Sequence, residues 1–301
     1  MTTYPFHFID VFADRALAGN PLTLVPDADG LNEVQMRAIA REFNQSETTF
    51  LVAPTLPGAD RQLRSFTPGG FEVLGAGHNA MGAWLWLAAS GELDAGRTDF
   101  VQQIGSQLLP VRVDRSGARA VVTMDQSPPT FHAELRDRAE LAASLGLDPG
   151  DLAGDVPPQV VATGVTHLMI PVTTRAAVDR AIPDSPRLAA VLREAGGEGA
   201  YLYSLQSGPD SVDDIAAYTR FFNPTVGIWE DPATGTAAGP LAARLVALGR
   251  VPDGSTVAIE QGRHLGRPSI LRVRVAGESV RLSGSGVVVA SGILDLAGST
   301  A

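Results

Sequence analysis

Gly77-His78-Asn79-Ala80-Met81-Gly82-Ala83-Trp84-Leu85-Trp86-Leu87-Ala88-Ala89-Ser90-Gly91 and Gly235-Thr236-Ala237-Ala238-Gly239-Pro240-Leu241-Ala242-Ala243-Arg244-Leu245-Val246-Ala247-Leu248-Gly249 each run fourteen steps from one glycine to another. Both read as apolar helices; the first is apolar nearly all round, the mark of a helix buried on every side, and stops at Gly91. The correspondence extends upstream. Glu72 stands five residues before Gly77 and Glu230 five before Gly235, and aromatic-polar-Pro triplets precede them, Phe66-Thr67-Pro68 and Phe222-Asn223-Pro224. Such an internal duplication predicts two related lobes, each wrapping strands around one buried helix, with equivalent loops meeting in a cleft.

The flanking sequence supplies the strands. Phe6–Phe12, Pro21–Val25, Thr48–Val52, Leu63–Thr67, Asp99–Gln103, Gln107–Val113 and Ala120–Asp125 carry strand patterns, and Leu31–Phe43 reads as an amphipathic helix. After the turn Ser127-Pro128-Pro129, strand patterns return near 160–172, 200–205 and 217–222, with helices near 135–145 and 186–195. The predicted fold is α+β with two pseudo-symmetric lobes. Residues 1–125 form the N-terminal lobe and 126–301 the C-terminal lobe, with the last strand, about 287–295, free to pair back with the N-terminal lobe.

A formal charge of −10 opposes the basic footprint that nucleic acid or an anionic membrane requires, so a small-molecule partner is expected. The chain has no cysteine, which rules out disulfides, thiolate metal sites and any thiol nucleophile or proton carrier. The opening MTTYPFHFIDVF alternates apolar and polar residues and reads as a strand instead of a signal peptide, and the longest apolar run, 80–89, is too short for a bilayer; a cytoplasmic location is expected. The five histidines show no zinc spacing, and neither a phosphate-binding loop nor a dinucleotide fingerprint is present. No metal or cofactor is expected.

Gly-rich turns entering buried helices leave backbone N–H groups where a carboxylate can be held without Arg or Lys. Gly77 and Asn79 open the first such helix and Gly235 and Thr236 the second, although turns of this kind also serve simple close packing. His78, at a helix start that favours neutral imidazole, is either a proton relay or a histidine satisfied by backbone. Asp231 before Pro232 is either a turn former or a group facing a substrate amine or hydroxyl, and Thr236 either caps its helix or touches a ligand. Glu47, preceded by Ser46 at a helix-to-strand junction, reads by position as a solvated surface acid. Buried, it would have a carboxyl able to act as both acid and base.

Taken together these blocks resemble the PhzF family, which shares the diaminopimelate epimerase fold. The match runs nearly end to end: Asp10-Val11-Phe12 with Gly19-Asn20-Pro21, Ile39 to Phe50 with Ser46-Glu47-Thr48-Thr49-Phe50, Phe66-Thr67-Pro68 leading to Ala76-Gly77-His78, Met124-Asp125-Gln126, Glu230-Asp231-Pro232-Ala233-Thr234-Gly235, and Gln261-Gly262 with Gly266-Arg267-Pro268-Ser269. The resemblance implies two lobes, each a strand barrel around a central helix, with the active site between them, and a homodimer.

The resemblance also makes Glu47 the acid and base, with His78 and Asp231 as its substrate-contacting partners and Ser46, Gly77, Asn79, Gly235 and Thr236 as further binding positions. The implied reaction is the cofactor-independent isomerisation of trans-2,3-dihydro-3-hydroxyanthranilate, in which a proton moves from C3 to C1, or the same shift on another unsaturated cyclic amino acid or imine. Diaminopimelate epimerase places a thiol on each side of one carbon, which a chain without cysteine cannot do. A noncatalytic small-molecule-binding member of the fold is the alternative from another class, and the joint presence of Glu47, His78 and Asp231 opposes it. Gly75 and Asn79 replace the family's usual Phe and Pro beside His78, and Thr236 stands where Ser is usual.

Overall fold

A computed structural model describes residues 3–206 and 215–297. They are mixed α+β and divide into two compact units, Met1–Met124 with Ser283–Ala301, and Asp125–Leu282.

In the first unit Thr3–Val11 pairs antiparallel with both Asn20–Val25 and the last strand, Gly286–Asp295. From there Asn20–Val25 runs parallel to Thr48–Val52, which is antiparallel to Arg61–Phe66; Arg61–Phe66 is parallel to Asp99–Ile104, which is antiparallel to Gln107–Asp114. Each parallel step needs a crossover, and a helix supplies it: Glu33–Phe43 for the first and His78–Ser90 for the second. The helix His78–Ser90 packs against the strands 3–11, 20–25, 48–52, 107–114 and 286–295, so the sheet curls around it. Its residues from His78 to Leu87 are all buried. Gly82 permits that fit, because a Cβ there would lie 2.5 Å from Leu22 Cδ2 and 2.9 Å from Val11 Cγ2. Gly82→Val is expected to lower unfolding free energy by about 2–3 kcal/mol through overpacking, measured by urea denaturation.

The second unit repeats the pairing grammar. Thr166–Pro171 runs parallel to Gly199–Ser204, which is antiparallel to Ile215–Asn223; that strand is parallel to Thr256–Gln261, which is antiparallel to Ser269–Ala276. The buried helix Gly235–Ala247 makes the second crossover, as His78–Ser90 does in the first unit. The duplication inferred from two helices thus extends to the order and direction of the strands around them.

Three boundaries differ from the sequence reading for local reasons. The apolar run 160–172 is a hairpin, Gln159–Ala162 against Thr166–Pro171, turned at 163–165. The helix expected over 135–145 is Arg138–Ser144, because the Asp137 side chain accepts from Glu140 N–H and sets a later start. A strand at Thr130–Glu134, exposed throughout, pairs with Gln159–Ala162 although it lacks any alternation of burial. Among the described residues no helix is long and apolar enough to cross a membrane.

Candidate active site

The helix Glu33–Phe43 begins at a capping box between Asn32 and Gln35 and ends at Asn44, whose left-handed backbone (φ 50°) sends its N–H back to Ala40 O. That abrupt stop turns the chain through a bend at Gln45 and Ser46 into the strand Thr48–Val52, and Glu47 lies between bend and strand. Thr48, Thr49 and Phe50 are buried as the strand begins, so the Glu47 side chain enters at the edge of an apolar interior and is only 17 % exposed. Burial raises its pKa from 4.5 to about 7, since removal from water penalises the charged form. The surface reading of Glu47 is therefore replaced by a carboxyl poised between its two protonation states at neutral pH.

His78 is the first residue of its helix, and its Nε2 lies 3.1 Å from Glu47 Oε2. The imidazole and the carboxyl are thus in direct polar contact, at ion-pair distance. The loop before it is held by Asn79, whose Oδ1 accepts from Gly77 N–H at 2.7 Å and whose Nδ2 donates to Gly75 O and Ser65 Oγ, both at 3.1 Å. Ser65 Oγ continues to Thr49 Oγ1 at 2.9 Å, tying the loop to the strand that follows Glu47. Asn79 is 2 % exposed. Its amide, and the Gly77 N–H expected to hold an anion, are engaged within the loop itself. Asn79 thus has a local hydrogen-bonding role.

In the second unit Asp231 ends the strand Ile228–Asp231 and is 8 % exposed. Its Oδ2 accepts from Thr234 Oγ1 at 2.5 Å, and Thr234 Oγ1 in turn accepts from Gln261 Nε2 at 3.0 Å. Gln261 also donates to Asp231 O at 2.7 Å, while its Oε1 accepts from Tyr201 OH at 2.9 Å and Thr234 N–H at 3.2 Å. All four of its hydrogen-bonding positions are used, so this buried amide holds the Asp231 backbone and Thr234, whose hydroxyl in turn holds the Asp231 carboxylate. Gly235 opens the second buried helix, and its carbonyl accepts from Gln126 Nε2 at 2.9 Å. Thr236 follows, and it alone from Asp231 to Leu245 keeps partial exposure.

Two members of this network carry no signal of their role in the sequence. Gln261 is visible there only as part of a block, Gln261-Gly262. His167, whose Nε2 lies 3.1 Å from Thr236 Oγ1, is a lone histidine in a strand 69 residues away in sequence, and nothing local marks it.

Comparison with known proteins concerns the chain as a whole. A family model described as phenazine biosynthesis-like protein, PhzC-PhzF, matches residues 9–292. The chain belongs to the PhzF family. A trans-2,3-dihydro-3-hydroxyanthranilate isomerase from Pseudomonas chlororaphis is 35 % identical over 298 residues, covering 96 % of this chain and 98 % of that protein. The crystal structure of a PhzF-family phenazine biosynthesis protein from Bacillus anthracis superposes with a TM-score of 0.91 at 26 % identity, covering 98 % of this chain and 100 % of the other. A hydroxyproline epimerase from Agrobacterium vitis shares the fold, with a TM-score of 0.62 at 15 % identity, over 98 % of this chain and 91 % of that one. This PhzF-family chain is an isomerase with the α+β fold of that wider group.

Proposed function

We propose that this PhzF-family isomerase moves a proton between carbons of a small unsaturated cyclic amino acid, with Glu47 as the single acid and base and trans-2,3-dihydro-3-hydroxyanthranilate as the substrate. The observation that carries the reading is the buried Glu47 carboxyl, raised to a pKa of about 7 and met by His78 Nε2 at 3.1 Å. The relative from Pseudomonas chlororaphis supports the choice of substrate.

As carboxylate, Glu47 takes the proton from C3; the electron pair of that C–H bond enters the ring's conjugated system. As carboxylic acid it returns the proton to C1 on the same face, and the resulting enol becomes a ketone. One group with a pKa near the working pH serves both steps because neither protonation state is strongly disfavoured. His78, with Nε2 3.1 Å from Glu47 Oε2, orients the carboxyl through that contact. By resemblance Asp231 contacts the substrate, where its carboxyl suits an amine or hydroxyl, and Thr236 with the N–H groups opening its helix suits a carboxylate. A homodimer in the cytoplasm, without a cofactor, belongs to the same proposal.

The test is to incubate the protein with trans-2,3-dihydro-3-hydroxyanthranilate in deuterated water and follow absorbance and label uptake. Turnover supports the reading, and its absence removes this substrate. His78→Leu is expected to lower kcat by about 10- to 100-fold with a smaller change in KM, because the polar contact that orients the base is lost; steady-state kinetics check this.

A further inference from the structure

His167 lies on the strand Thr166–Pro171 and is 2 % exposed, with its ring edge-on to Phe221 at a centroid distance of 5.0 Å. A Cβ on Gly199, its neighbour across the parallel pair, would fall 2.4 Å from Phe221 Cζ and 3.2 Å from His167 Nδ1. That wall is apolar, and Nδ1 is buried with no hydrogen-bond partner among the described residues. Nε2 meets Thr236 Oγ1 at 3.1 Å.

Burial lowers the His167 pKa to about 3, so the ring is neutral and carries one N–H. A proton on Nδ1 would be a buried donor without an acceptor, which is costly, whereas a bare Nδ1 loses less. The proton therefore sits on Nε2 and is donated to Thr236 Oγ1. A hydroxyl that accepts there keeps its own hydrogen for another partner.

We infer that His167 is a positioning residue that, by donating from Nε2 to Thr236 Oγ1, turns the Thr236 hydroxyl into a dedicated donor for a carboxylate oxygen of the ligand. The inference rests on the reading above that Thr236 meets the substrate.

Two measurements on the full chain test it. In the ligand-free protein, 15N–1H NMR of the histidine rings, assigned with His167→Gln, is expected to show the His167 proton on Nε2; a proton on Nδ1 overturns the inference. For binding, the probe is anthranilate, titrated calorimetrically. Thr236→Val and His167→Phe are each expected to weaken it about tenfold, and the double variant to be no weaker than Thr236→Val. His167→Gln, which keeps an N–H donor, is expected to stay within about threefold of wild type. Additive losses, or full affinity in His167→Phe, overturn the inference. Failure of the wild type to bind anthranilate counts against the substrate reading, and the NMR result then decides the role of His167 by itself.

Discussion

Glu47→Gln is expected to lower kcat for trans-2,3-dihydro-3-hydroxyanthranilate by about a thousandfold or more with little change in KM. Glutamine keeps the shape of the side chain and can still face His78, so binding is retained, but it can neither take nor return a proton. General acid–base catalysis contributes roughly 10²- to 10⁴-fold at a single step, and in the proposed reaction one group serves two. Steady-state kinetics on both proteins, with circular dichroism as a check on folding, give the result. In the wild type the carboxylate must start the reaction, so kcat/KM is expected to rise with pH to a plateau with a midpoint near 7, the value to which burial raises Glu47.

The second large effect is on stability. The folded state holds the Glu47 proton up to about pH 7, whereas the unfolded chain releases it near 4.5. Between those values the folded form binds more protons, so raising the pH through this window destabilises the wild type. A shift of this size corresponds to about 3 kcal/mol. Glu47→Gln has no such proton to lose. The stability of the variant relative to wild type is therefore expected to increase by about 3 kcal/mol from about pH 4.5 to about pH 8, levelling off above the folded-state pKa, as measured by urea denaturation at a series of pH values. A variant that loses activity while gaining relative stability at neutral pH is the signature of a buried functional carboxyl.

The fold is legible in the sequence because its strongest signals are periodic and repeated. Two apolar helices of equal length, each entered through a Gly-rich turn, stand at equivalent crossovers in the two units. The exposed strand Thr130–Glu134 carries no such signal, since a strand without a buried face has no alternation to read. At the site, Glu47 is found only through its motif: position alone points to solvent, because nothing local reports that the turn at Asn44 directs the next side chains inward. Asn79 shows the reverse error of expectation, a polar residue beside the site whose hydrogen bonds tie its own loop to Ser65. His167 is out of reach because its partner Thr236 is far away in sequence and the pairing exists only in the folded unit.

The most direct test of the central claim is the titration of Glu47 itself, followed by 13C NMR of the labelled carboxyl and assigned by its absence in Glu47→Gln. The account predicts a midpoint near pH 7. A midpoint near the ordinary value of 4.5 would contradict it, because a carboxyl that is fully ionised and solvated at neutral pH is not the buried acid and base described above.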